Sequence, residues 1–299
     1  MEYNDTNSLL CTHIVQPIRI IETPRDAMQG ISSWIPTPMK IEYINSLLKV
    51  GFHSLDFGSF VSSEAIPQMS DTKEVIAGID KEGSNTKMIA IVPNLKGAEH
   101  AVKHDIIDYL GYPFSISETF QLRNTKVGVL DSVDRVKSIQ ELCQRNNKSL
   151  IIYISMGFGN PYGDHYDIDL VLEWVERMHA LDIEILSLSD TVGIADKDLI
   201  AKVFAKVIPQ FPKLEIGAHL HTEYDMAFEK IEAAYLNGCT RFDGAIKGFG
   251  GCPMAKDDLI GNMPTEKLIE YFGIDKLESG FNHDFFIQSM ALASKVFPH

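Results

Sequence analysis

Cysteine is scarce: four residues in 299, and Cys11, Cys143, Cys239 and Cys252 form no Cys-x-x-Cys pair. So sparse a set excludes a disulfide framework and reads as cytosolic thiols. Long apolar runs are missing as well, since none approaches the roughly 20 residues a membrane-crossing helix needs. Basic residues are outnumbered, 27 Lys and Arg against 41 Asp and Glu, for a net charge of -14. Such a field repels phosphates and excludes nucleic acid as a general partner, while leaving room for a phosphorylated ligand held by a few local cations. The start, Met1-Glu2-Tyr3-Asn4-Asp5-Thr6, is acidic and polar, and the end, Val296-Phe297-Pro298-His299, carries no peroxisomal address. Neither resembles a targeting segment, so a soluble cytoplasmic protein is expected, without membrane contact. Linkers rich in Pro, Gly or Ser, low-complexity tracts and short-period repeats are absent too, which favours one domain.

What is present is an ordinary globular composition, 45% hydrophobic and 23% charged, and a chain long enough for one large α/β barrel or two ordinary domains. After a tail over residues 1–16, short β-rich runs alternate with segments of helical period. The expected strands are Ile18 to Glu22, Ser54 to Phe57, Lys87 to Val92, Ile106 to Gly111, Leu150 to Ser155, Ile183 to Ser187, Leu214 to His219 and Thr240 to Asp243. Helices are expected over Pro38 to Val50, Thr72 to Ile79, Leu130 to Arg145, Asp169 to Leu181, Lys197 to Val207 and Met226 to Leu236. Regular β-then-α alternation implies a parallel sheet with helices outside it, and eight such units in this length suit an α/β fold of the (β/α)8 TIM barrel type. An open doubly wound sheet is the competing architecture. Its glycine-rich first turn is not found in Glu22-Thr23-Pro24-Arg25-Asp26. The barrel domain is expected over 17–299, with a helical extension from about 262 that opens at Met263-Pro264-Thr265-Glu266.

In a barrel, chemistry belongs where the strands end. The most telling of these places is Gly217-Ala218-His219-Leu220-His221. Side chains alternate along a strand, so His219 and His221 share a face and suggest a metal. The competing reading is one core histidine and one solvated one. Other strand ends supply Glu22, Arg25 and Asp26, then Asp56, Asn94, Ser155, Ser187 with Asp190, and Asp243. Asp190-Thr191 and Thr37-Pro38 read better as turn or cap chemistry. Asp26 can enter a metal's shell while Arg25 meets an oxygen that gathers charge, although a surface ion pair in a loop is the plainer expectation. Gly248-Phe249-Gly250-Gly251-Cys252-Pro253 sets a thiol on a glycine-rich loop, where it can serve as nucleophile or proton donor. Cys143 and Cys239 lie in apolar-patterned segments and read as small core side chains.

Several of these segments together resemble the 3-hydroxy-3-methylglutaryl-CoA lyase family of metal-dependent (β/α)8 lyases and Claisen-condensing enzymes. They are Glu22 to Gln29, Ser59 to Ser62 with Ile66 to Met69, Pro93 to Gly97, Ser187 to Gly193, His219-Leu220-His221 and Gly248 to Pro253, in the family's order over residues 17 to about 272. The resemblance implies that Asp26, His219, His221 and Asn262 bind a divalent cation, Mg2+ or Mn2+. It implies that Arg25 stabilises the enolate-like oxygen, and that Cys252 is the thiol of a mobile loop. The implied reaction is retro-Claisen cleavage of an acyl-CoA to acetoacetate and acetyl-CoA in leucine catabolism, with His219 or Asp26 taking the hydroxyl proton. A homodimer is implied as well. Lys96, Lys126, Lys247 and Lys256 are candidates for CoA contacts. Departures from the family are Ala27-Met28-Gln29-Gly30, Asp56 where a glutamate is usual, Thr222 where aspartate is usual, and one extra residue between Cys252 and Asn262. Two other functions are weighed: a transferase condensing acetyl-CoA with a 2-oxo acid, and a barrel that binds CoA esters without turnover.

Overall fold

Eight strands close into one parallel barrel in the computed structural model, which describes residues 16–251, 260–278 and 280–297. They are β1 (Arg19–Glu22), β2 (Ser54–Ser59), β3 (Lys87–Ile91), β4 (Tyr109–Ser115), β5 (Ser149–Ser155), β6 (Ile185–Asp190), β7 (Glu215–Leu220) and β8 (Arg241–Gly244). Closure comes from β8 pairing with β1, Arg19 opposite Arg241 and Glu22 opposite Gly244. All eight expected strands form. The fourth lies further along than expected, because Ile106 and Ile107 fall in a turn and the strand runs through Gly111 and Pro113.

The helices are α1 (Pro24–Gln29), α2 (Thr37–Leu48), α3 (Thr72–Gly78), α4 (Leu95–Ala101), α5 (Glu118–Thr125), α6 (Val129–Arg145), α7 (Ile168–His179), α8 (Lys197–Val207), α9 (Ala227–Tyr235), α10 (Thr265–Phe272) and α11 (His283–Val296). Two of them show how sequence specifies the ring. In α7 the buried residues are Val171, Trp174, Val175 and Met178, and in α8 they are Ile200, Val203, Phe204 and Val207. This i, i+3, i+4, i+7 spacing turns one stripe onto the sheet. Each such side chain contributes about 1.5–3 kcal/mol on burial, so the stripe decides that the helix forms. The cap decides where it starts: Asp167 accepts the Leu170 N–H at 2.7 Å and Asp196 accepts that of Leu199 at 2.8 Å, each worth about 1 kcal/mol.

Three short helices, α1, α4 and α5, were not expected from the periodicity. The first matters most, because it carries Arg25 and Asp26 on a six-residue helix with Pro24 in its first turn. Pro264 precedes α10 as its N-cap residue instead of lying inside it. The carboxy-terminal helix α11 packs against α2, and Phe297 meets Tyr43 edge-on with ring centroids 5.6 Å apart. Among the described residues no helix is long and apolar enough to cross a membrane.

Inside the barrel Ile21, Ile89, Ile91, Ile151, Tyr153 and Ile185 form their own apolar cluster. Below them, at the strands' amino-terminal end, Arg241 is buried and donates from Nη1 to Glu215 Oε1 at 2.8 Å, while Glu215 also pairs with Arg19. A Cβ on Gly217 would stand 2.8 Å from Arg241 Cδ, so glycine there makes room for the long side chain to cross β7. This polar plug fills the lower end and leaves the upper end for chemistry.

Candidate metal and catalytic site

Three side chains converge at the carboxy-terminal mouth: Asp26 from α1, and His219 and His221 from the end of β7, with ligand atoms all within 4.8 Å of one another. Alternation along β7 turns both rings the same way, as the sequence suggests. His219 directs Nδ1 to Asp243 Oδ2 at 3.1 Å, and His221 directs Nδ1 to the Ile260 carbonyl oxygen at 3.1 Å. Carboxylate and carbonyl oxygens only accept, so each Nδ1 carries the proton and each Nε2 keeps its lone pair. Those two Nε2 atoms lie 3.4 Å apart.

Asp26 completes the group. Its Oδ1 accepts from Arg25 Nη1 at 2.9 Å and from Gln29 Nε2 at 2.6 Å, while its buried Oδ2 has no hydrogen-bond partner among the described residues. An unsatisfied buried carboxylate oxygen is costly, and two facing lone pairs repel. A divalent cation would relieve both, so these residues fit one. Asn262 stands beside them, bridged to His221 through the backbone, with its Nδ2 donating to the Phe249 carbonyl at 2.9 Å.

Arg25 is 8% exposed and not the surface ion pair that its position after a strand suggested. Asp56 holds it from behind: Nε lies 3.2 and 3.0 Å from the two carboxylate oxygens, and Nη2 donates to Oδ2 as well. Such forked pairing fixes the guanidinium plane. Asp56 is therefore spent on Arg25 and does not line the cavity, whereas Arg25 and Asp26 do. Asp56 is the last residue of β2 in regular register with β3, opposite Ile89, before the register shifts ahead of Gly58.

The cavity that these groups line, about 140 Å3, is bounded by polar residues, Gln29, Ser155, Ser189 and Thr191, and by apolar ones, Val61, Ile66, Ile91, Pro93, Pro113 and Phe120. Tyr153, which sequence reasoning missed, lines it too, edge-on to His219 at 5.8 Å and with its buried hydroxyl unpartnered among the described residues. Nothing in a run of apolar strand residues marks one tyrosine as special.

Electrostatics separates the two imidazoles. Burial disfavours charge on both. On His219 the Asp243 and Asp26 carboxylates more than compensate and hold its pKa above the usual imidazole value. On His221 burial and the neighbouring His219 push it down to about 4. Burial also works against the Asp26 carboxylate, but Arg25 and the imidazoles hold it below the usual range. Asp56 is pushed up to about 6 by burial, against the pull of Arg25, and so stays ionised at neutral pH.

Other strand-end residues serve structure. Asn94 caps α4 by accepting the Gly97 N–H at 3.0 Å, and Asp190 accepts the N–H groups of Ile194 and Ala195, as a turn residue does. Ser187 donates to Asp243 at 3.3 Å, supporting the carboxylate behind His219. Glu22 is fully buried off the cavity, where Oε1 accepts the Ile246 N–H at 2.9 Å and Oε2 meets the Thr265 hydroxyl. Lys96 and Lys126 are exposed, and Lys247 is tied to Ser294 of α11. Cys252 and Lys256 lie outside the described residues.

Known proteins resemble this chain over most of its length. The HMGL-like family model matches residues 18–292. Hydroxymethylglutaryl-CoA lyase of Bacillus subtilis is 33% identical over 246 residues, 82% of this chain and 81% of that protein. The crystal structure of the Bacillus subtilis HMG-CoA lyase superposes with a TM-score of 0.87 at 29% identity, covering 94% of this chain and 93% of the other. An HMG-CoA lyase from Acinetobacter baumannii, solved in complex with coenzyme A and 3-methylmalate, gives 0.85 at 30% identity over 94% and 91%. With a family model spanning nearly the whole barrel, the chain belongs to the HMGL-like family.

Proposed function

We propose that this protein is a carbon–carbon lyase that cleaves 3-hydroxy-3-methylglutaryl-CoA to acetoacetate and acetyl-CoA, the closing step of leucine breakdown. The observation that carries the reading is the meeting of Asp26, His219 and His221 with Arg25 in one cavity. The Bacillus subtilis relative is named a hydroxymethylglutaryl-CoA lyase. Asp26, His219, His221 and Asn262 would hold the divalent cation, Mg2+ or Mn2+, which when bound supplies a Lewis acid for the substrate's C3 hydroxyl.

The chain's own residues account for the rest. Asp26 and His219 are the two candidates for the hydroxyl proton: Asp26 has a second carboxylate oxygen to offer beside the one on the cation, whereas His219, with Nδ1 directed to Asp243, can take the proton only at Nε2 in place of the cation. As the C3–O electrons form the new ketone, the C2–C3 bond breaks and its pair passes to C2 as the enolate of acetyl-CoA. Arg25 faces the thioester oxygen that takes up this charge, and Asp56 keeps its guanidinium from swinging away. Cys252 then gives C2 its proton, and acetoacetate and acetyl-CoA leave. The apolar lining residues suit the C3 methyl group and the pantetheine arm. A cytoplasmic location is consistent with the free, buried thiols of Cys143 and Cys239.

The test is turnover of purified protein with 3-hydroxy-3-methylglutaryl-CoA, following acetoacetate, after chelation and again after adding Mg2+ or Mn2+. Metal-dependent acetoacetate is the expected result. A protein that binds metal and substrate yet yields no acetoacetate would refute the lyase reading.

A further inference from the structure

Lys230 has no part in the chemistry above, yet it is 5% exposed. From α9 its Nζ donates to the His221 carbonyl oxygen at 2.8 Å, to Asp190 Oδ2 at 3.3 Å and to the Gly193 carbonyl oxygen at 3.5 Å. An ammonium has three protons, and these acceptors use all of them. Two of the acceptors lie at the end of β6 and in the turn after it, Asp190 and Gly193, and Asp190 already stiffens that turn through Ile194 and Ala195. The third is the backbone of a proposed metal ligand.

His221 needs that support. The β6–β7 ladder ends at Asp190 opposite Leu220, and the β7–β8 ladder ends at His219 opposite Asp243. His221 therefore lies one residue beyond the sheet, held by its bridge to Asn262 and by Lys230. A lysine present only to neutralise Asp190 would place its shortest bond on the carboxylate. Here the shortest bond goes to the carbonyl.

We propose that Lys230 is a positioning residue: by tying the His221 carbonyl to the turn after β6, it holds the His221 imidazole in place for a divalent cation. The inference rests on the metal reading given above, and residues that orient metal ligands typically govern about 10–100-fold of metal affinity.

The experiment is Mn2+ affinity of the full chain, by calorimetry or electron paramagnetic resonance, for wild type, Lys230→Met and the double variant Lys230→Met with Asp190→Asn. The single variant strands the Asp190 charge and is at risk of misfolding; the double variant removes that charge. Both are expected to bind Mn2+ about 10–100-fold more weakly than wild type, with the double variant folded. Wild-type affinity in either variant overturns the proposal and leaves Lys230 as the partner of Asp190 alone. A wild-type protein that binds no Mn2+ sinks the metal reading itself, and this inference with it.

Discussion

His219 and His221 face each other through their unprotonated nitrogens, Nε2 to Nε2, at 3.4 Å. Each ring is locked in that tautomer by what its other nitrogen donates to, Asp243 in one case and the Ile260 carbonyl in the other. The pair is arranged for a shared positive charge between the rings, and Asp26 closes the third side.

Proton competition at this pair has a definite sign. His219 is held above the ordinary imidazole range, so on acidification it charges before a free histidine would, while His221 stays neutral down to about 4. Mn2+ affinity is expected to fall as pH drops through the raised His219 value, by about tenfold per pH unit, and His221→Ala is expected to abolish binding with the fold retained. Calorimetric titration across pH, with circular dichroism of the variant, checks both; a variant that binds the ion normally removes His221 from the shell.

Lengthening Asp56 tests the buried fork. Asp56→Glu adds one methylene behind a guanidinium already gripped at Nε and Nη2, and so pushes Arg25 forward. A displacement of that size is expected to cost about 10²-fold in kcat with Mn2+ affinity unchanged. A faster variant would mean that the native site is weakened by its short acid.

Cys252→Ala is expected to lower kcat strongly while KM changes little, because a proton donor acts after the substrate has bound. Turnover near the wild-type rate would reassign the protonation of C2 to another group or to water.

Glu22 should make the fold's stability depend on pH. Burial raises its pKa to about 8, whereas in the unfolded chain it titrates near 4.5. Between these values the folded state binds more protons than the unfolded one, so stability falls as pH rises through the window, by up to about 1.4 kcal/mol per pH unit. Glu22→Gln keeps an acceptor for the Ile246 N–H and a donor for the Thr265 hydroxyl, and is expected to flatten this dependence. Urea denaturation across the window checks it, and an unchanged slope in the variant would refute the assignment.

The barrel was legible because parallel strands buried on both faces read as short apolar runs, and helices such as α7 and α8 carry their stripes at full length. The helices α1, α4 and α5 were not: six to eight residues hold about two turns, and of the helices that short only those with a clear start, such as α3, could be read. In the site, His219, His221, Asp26 and Arg25 could be found from strand ends and alternation. The grip of Asp56 on Arg25 depends on how α1 settles over β2, and that of Lys230 on His221 depends on how α9 docks. Both arise from packing between distant segments, which no local pattern encodes.

Arg25 and Asp26 are neighbours in the chain, on one short helix, clamped by Asp56 on one side and Gln29 on the other. Their head groups also meet directly, Arg25 Nη1 on Asp26 Oδ1 at 2.9 Å, so the residue proposed for the thioester oxygen and the residue proposed for the cation share one hydrogen bond. Neither can be removed without disturbing the other, and a substitution at either one is expected to register in metal affinity and in turnover together.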